Sequence, residues 1–237
     1  MEKAQKNDFI EIEFTGRVKD GDVFDTNIKS ESEKIGLEIE DKPLIVCVGK
    51  DMLVKGFDNA LDGKEIGKKY EIELSPKEAF QDRRRELVKL IPLKVFTEKQ
   101  VNPRAGMTLA IDDMLVKIIS VSGGRVLCDF NNPLAGKIVV YNFIIKRKVE
   151  DISEKLNSIM DFFLRQRLEF KIEDNKIKIE AQDFYKPVID MLNQQFKEAL
   201  GMEMVLEVKK EDVEKGKKEK KKEVEKEIET KEKKEEE

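Results

Sequence analysis

The sequence predicts an α+β protein whose antiparallel sheet curls around one short helix. Three observations carry that prediction. Strand-like alternation fills the early chain, a single short helical segment interrupts it, and the apolar period changes from two to about 3.6 near Glu150.

Each element follows in order. Phe9, Ile10, Ile12 and Phe14 mark a first strand in "DFIEIEFTGRV", and "KDGDVFD" supplies an Asp-Gly turn before a second. Residues Asn27–Pro43 read as a long charged connection. "LIVCVG" resumes as a strand, and "FDNALDG" reads as a short helix closed by Gly63. "KKYEIELS" is a further strand ended by Ser75-Pro76. From about Arg83 a β-rich unit follows, with Gly123-Gly124 as a two-residue hairpin turn. The β-branched run "KIVVYNFIIKRKV" suits the first sheet better than this unit, so the unit reads as an insertion with closely spaced ends. Beyond Glu150, Ile152, Leu156, Ile159, Met160, Phe163 and Leu164 fall at helical spacing. A hairpin turning at Asp174–Asn175 follows. Phe184, Val188, Met191, Leu192 and Leu200 mark a second helix stopped by Gly201, and "MEMVLEVK" is a last strand.

The expected domains are therefore 1–83 with 131–149, an insert at 84–130, a small α+β domain at 150–208 and a tail at 209–237. The tail holds 12 lysines and 12 acidic residues in 29 positions, too charged to bury a core, and reads as disordered or as a fraying solvated helix.

Composition removes whole classes of function. The chain has 237 residues, 41% charged yet only −4 net, so no strong field recruits nucleic acid or an anionic membrane. No apolar run approaches the roughly 20 residues that a membrane helix needs, and the start lacks the apolar stretch of a secretory signal. A cytoplasmic protein is expected. Cys47 and Cys128 each sit in an apolar strand and are expected to be reduced core residues, not a disulfide. There is no histidine, which excludes Ser-His and Cys-His catalysis and the usual zinc sites.

One stretch stands out in so hydrophilic a chain. "VGKDMLVKGFDNAL" places Leu53 and Val54 together on a loop just before Gly56 and Phe57 open the short helix. Together with "IEFTGRVKDGDVFDTN" and "DGKEIGKKYEIEL", it resembles the core signature of FKBP-type peptidyl-prolyl isomerases. The insert followed by "NNPLAGKIVVYNF" resembles the SlyD-like branch with an insert-in-flap domain. The third domain and tail resemble the long archaeal members. The likeness covers roughly residues 7–148 with specific motifs and is weaker beyond.

That resemblance implies an FKBP antiparallel half-barrel wrapped on a short helix. It implies catalytic positions at Asp25, Phe57, Phe80 and Tyr141, and a substrate surface of Phe14, Phe24, Leu44, Leu53, Val54 and Leu134. Phe57 would form the floor, Leu53 and Val54 the rim, and the Val54 backbone would pair with bound peptide. Asp25 is expected to orient the pocket with an ordinary or depressed pKa. No metal and no cofactor is implied, and the histidine-rich nickel-binding tail of some relatives is absent. Phe14 and Phe80 stand where tyrosines are common, and Phe57 where tryptophan often stands.

Such a site needs neither histidine nor cysteine. Amide resonance holds the X–Pro bond with a barrier of roughly 18–20 kcal/mol. A dry aromatic pocket withdraws the water that stabilises the charge-separated planar form. A ten-thousand-fold acceleration needs only about 5.5 kcal/mol of differential stabilisation.

The expected function is a prolyl isomerase and folding chaperone acting on unfolded or nascent chains with X-Pro segments. It is expected to bind neither nucleic acid nor membrane. The residues leave a non-catalytic proline-peptide-binding chaperone or an assembly module as alternatives. A homodimer through the C-terminal domain is open. Within the insert, Ile91, Leu93, Val95, Phe96, Met107, Leu109, Met114 and Leu115 either form its core or stay partly exposed for clients.

Overall fold

The computed structural model describes residues 2–40, 42–111 and 114–208; the charged tail expected at 209–237 lies outside them. The chain forms two compact units. Of the described residues, one gathers those within 2–5, 11–44 and 51–147; the other takes 6–10, 45–50 and 148–208.

The main sheet has five strands. β1 (Phe9–Val18), β2 (Val23–Thr26), β4 (Lys69–Leu74) and β9 (Val139–Lys148) run in the order β2-β1-β9-β4, and β3 (Leu44–Cys47) also pairs with β1. In the β1–β2 turn it is Asp20, not Gly21, that takes the left-handed conformation, at φ 55°. Between β2 and β3 the charged segment is not all connection, because Lys29–Ile35 form helix α1. Ser32 is buried there, and Gly36 at φ 66° ends the helix, with the Leu37 N–H closing on the Ser32 carbonyl at 3.0 Å. A helix this short has too few apolar positions to show a period.

The short helix α2 (Lys55–Leu61) buries Phe57 and Leu61. Gly56 permits its approach to β4: a Cβ there would meet Leu74 Cδ2 and Glu78 Cβ, both at 2.8 Å.

Residues 88–129 build a separate four-stranded sheet in the order β5-β8-β7-β6, from β5 (Val88–Pro92), β6 (Thr108–Ile111), β7 (Met114–Ser122) and β8 (Arg125–Asp129). Gly123 and Gly124, at φ 56° and 73°, close the β7–β8 hairpin. A helix the strand pattern did not reveal, α3 (Leu93–Glu98), inserts Phe96 into a core of Val116, Ile118, Val126 and Cys128. Ile91, Leu93 and Leu109 pack against that core, while Val95, Met107, Met114 and Leu115 are exposed.

The second unit holds α4 (Ile152–Phe163), α5 (Lys186–Leu200) and a three-stranded sheet. Its strands β10 (Glu169–Glu173), β11 (Lys176–Ala181) and β12 (Glu203–Val208) run in that order, with β11 and β12 parallel. Asp151 caps α4, its side chain accepting from the Glu154 N–H at 2.8 Å. Asp174 and Asn175 turn the hairpin, both at positive φ.

The buried face of α5 is the expected one only in part. Leu192 and Leu200 face inward as expected, joined by Ile189 and Phe196, whereas Phe184 lies in a preceding 3-10 turn and is 66% exposed. Met191 is exposed too. Phe196 carries this core, packing on Phe163 at 5.6 Å and on Phe9 at 6.3 Å. Phe9 comes from the start of β1, a recruitment invisible in the 150–208 pattern.

No helix among the described residues is long and apolar enough to cross a membrane. Cys47 and Cys128 are buried and form no disulfide with each other.

Candidate functional site

Five of the ten expected site residues meet in one ring network. Tyr141 on β9 stacks on Phe57 of α2 at 4.6 Å, and Phe14 of β1 meets Phe57 edge-on at 5.8 Å. Phe24 of β2 stands edge-on to Tyr141 at 5.8 Å and to Phe80 at 5.7 Å. Phe57 is 1% exposed and lies deepest of these rings, whereas Phe24 and Phe80 are half-buried. Floor and wall thus come from four separate elements of one sheet-and-helix unit. Each ring pair adds about 0.5–1.5 kcal/mol beyond its buried area.

Asp25 follows Phe24 and is an exposed residue. Burial of its carboxyl is nevertheless the leading influence and pushes the pKa above the ordinary aspartate range, the Thr26 backbone N–H acting in the opposite direction. The expected ordinary or depressed value is thus replaced by a raised one. Burial first, and then the nearby Asp25 charge, hold the Tyr141 hydroxyl well above the usual tyrosine range. Tyr141 therefore stays protonated at neutral pH and offers a donor in a ring-lined, poorly solvated place.

Leu44, Leu53, Val54 and Leu134 are half-buried, on β3, on the loop into α2 and on the turn before β9. Being aliphatic, they stand outside the ring network. Val54 caps α2: its carbonyl accepts from the Phe57 and Asp58 N–H groups at 2.9 and 3.0 Å. Its carbonyl is thereby occupied.

Several residues outside the expected set build this place. Asn27 ties β2 to β1, its amide donating to the Ile12 carbonyl at 2.7 Å and its oxygen accepting from the Phe14 N–H at 2.7 Å. Thr26 donates to the Phe14 carbonyl at 2.8 Å. Buried Asp58 accepts from the Asp51 N–H at 3.1 Å and so fixes the loop carrying Leu53 and Val54. Phe143 packs on Phe57 at 5.0 Å, and only its place two residues after Tyr141 on a strand pointed to it. Phe80 is presented by the turn after β4. Glu78 accepts from both the Ser75 N–H and hydroxyl, and the Gln81 N–H reaches the Pro76 carbonyl at 2.6 Å.

Gly16 is the tightest of these. A Cβ there would lie 2.8 Å from Tyr141 Cε1 and 2.9 Å from Phe24 Cζ. Gly16→Ala is expected to push both rings aside, costing about 1–3 kcal/mol of stability; thermal denaturation of the purified variant checks it.

The sequence profile of the FKBP-type peptidyl-prolyl cis-trans isomerases matches residues 1–97, and that of the FKBP26 IF domain matches 89–134. A short-type peptidyl-prolyl cis-trans isomerase of Methanocaldococcus jannaschii is 30% identical over 151 residues, 62% of this chain and 93% of that protein. The FKBP-type peptidyl-prolyl cis-trans isomerase SlyD of Haemophilus influenzae is 30% identical over 138 residues, 57% of this chain and 67% of its own length. SlyD of Escherichia coli is 26% identical over 157 residues, covering 65% and 74%.

Proposed function

Because the chain belongs to the FKBP-type peptidyl-prolyl cis-trans isomerase family, it is an isomerase of X–Pro bonds, and we propose that the ring network around Phe57 is where it acts. The observation that carries this is the stack of Tyr141 on a fully buried Phe57, walled by Phe14, Phe24 and Phe80. The prolyl ring lies against Phe57 and Tyr141, Leu44, Leu53, Val54 and Leu134 form the rim, and the Val54 N–H donates to a substrate carbonyl. Desolvation by the rings favours the twisted amide, and no bond to the enzyme forms. Phe14 and Phe80 bring no hydroxyl, so Tyr141 is the phenolic donor of this wall. Asp25 sets the electrostatics beside it.

Asp25→Asn tests this reading without emptying the pocket. Burial raises the Asp25 carboxyl in the folded state, so the folded protein holds that proton to higher pH than the unfolded chain does. Stability from this group is therefore present at low pH and lost as pH rises from about 4 through the raised folded value. Asn carries no such proton. The variant is expected to lose that pH dependence and be equally or more stable at neutral pH. Its isomerisation of a Leu-Pro peptide should fall about tenfold, roughly 1.4 kcal/mol of barrier. Denaturation curves at acid and neutral pH beside a protease-free isomerisation assay check it; unchanged activity would remove Asp25 from the site.

Residues 84–130 are proposed as a chaperone insert that holds unfolded or nascent chains on its exposed Leu90, Met107, Met114 and Leu115. The remaining boundaries proposed are 1–83 with 131–149 for the isomerase domain and 150–208 for the C-terminal domain. Exposed Phe162, Ile172, Phe184 and Met191 support self-association through the latter. Two buried cysteines outside any disulfide support a reducing, cytoplasmic setting.

A further inference from the structure

A cleft of about 620 Å³ opens beside Phe80, between the chain entering the β5–β8 sheet and the chain leaving it. Phe80 and Leu87 give it an apolar side, and Lys77, Arg84, Asp82 and Asn131 line it with polar groups. Phe80 also belongs to the ring network through Phe24, so the cleft and the proposed prolyl pocket share that one ring.

Its walls are built in advance. The buried Asn131 side chain accepts from the Arg84 N–H at 2.8 Å and donates to the Arg84 carbonyl at 3.0 Å. The same amide donates to Asp129 at 2.7 Å, and the Phe130 N–H reaches the Leu87 carbonyl at 2.9 Å. The Gly136 N–H closes on the Gln81 carbonyl at 2.8 Å. Segments locked in this way lose little freedom when something binds.

The charges are unevenly committed. Arg83 is taken by buried Asp129, whose carboxyl is drawn up by burial but brought lower overall by Asn131, Arg83 and Lys117. Lys77 and Arg84 face the cleft with no ion pair among the described residues, against the one carboxylate of Asp82. The surplus is positive.

Resting on the pocket assignment above, we propose that this cleft is a subsite for the substrate chain flanking the prolyl bond, and that Lys77 and Arg84 make it select an acidic side chain there. An extended peptide advances about 3.3 Å per residue, so the selected residue lies within a few positions of proline, on one side only.

The test uses the full chain and fluorescent Leu-Pro peptides in which one flanking position at a time, on either side of proline, is Glu, Gln or Lys. Binding is read by anisotropy and turnover by a protease-free isomerisation assay. At low salt a Glu peptide on one side is expected to bind and turn over about fivefold better than its Lys counterpart, as two partly exposed ion pairs allow. Added salt shrinks the ratio, and the K77E/R84E variant inverts it. Equal values for Glu, Gln and Lys at every position, or a ratio unmoved by the charge reversal, overturn the proposal. Failure of the pocket assignment looks different: Phe57→Ala then isomerises the neutral Gln peptides as fast as the parent chain, while a Glu preference in binding still supports the cleft and its absence still overturns it.

Discussion

Phe57→Ala is expected to cost about 3–5 kcal/mol of stability and to lower isomerisation at least a hundredfold. The ring is 1% exposed and touches Phe14, Tyr141 and Phe143 within 6 Å of their centroids. Removing it opens a cavity under the surface against which the prolyl ring rests. A hundredfold loss is about 2.7 kcal/mol of transition-state stabilisation. Because a destabilised variant loses activity by unfolding as well, Phe57→Leu belongs beside it. Leucine keeps most of the apolar volume and is expected to fold with a smaller loss of Tm. It lacks the flat face that stacks on Tyr141, so turnover per folded molecule should still fall clearly. Full activity in a folded Phe57→Leu protein would show that volume alone matters there.

The second large effect concerns the insert. Val88 and Asp129 are opposite one another at the foot of the β5–β8 ladder, so Lys89–Cys128 can be replaced by a two-residue Asn-Gly turn. The replacement leaves Asn131 gripping Arg84 and Asp129 facing Arg83. Isomerisation of a short neutral peptide is expected to stay within about twofold, since every ring of the network lies outside the deleted segment. Catalysed refolding of a proline-limited protein client should drop about 10- to 100-fold, because a client held on the insert is presented to the pocket at high effective concentration. Refolding kinetics of an unfolded client with each protein check this. Equal refolding rates would remove the insert from client holding.

The ring network of the proposed site was legible because its residue types sit at the family's ordered spacing, and the structure brings Phe14, Phe24, Phe57, Phe80 and Tyr141 together. What holds them was not. Gly16 matters through the absence of a Cβ, and Asn27 and Asp58 act through hydrogen bonds to backbone groups that only the folded chain brings near. The β elements followed from alternation and turn residues, as at Gly123-Gly124 and Asp174–Asn175. Helix α1 escaped because Ile35 is its one apolar residue, and α3 because it continues the strand-like run "LIPLKVF"; the equally short α2 was marked by Phe57 and Leu61 four residues apart with Gly63 beyond. The face of α5 was only half right, Leu192 and Leu200 being buried as expected. Phe184 and Met191 extend the apolar period along the wrong stripe, and what decides is that Phe196 finds Phe163 and Phe9. Such partners lie far off in sequence, beyond the reach of any local period.

The pocket itself is tested most directly by nuclear magnetic resonance on the full chain with a saturating Leu-Pro peptide. Prolyl ring protons are expected to show Overhauser contacts to the Phe57 and Tyr141 rings, and the Val54 amide proton to shift as it meets a substrate carbonyl. Prolyl contacts confined to the 88–129 sheet, with Phe57, Tyr141 and Val54 unmoved, would contradict the assignment.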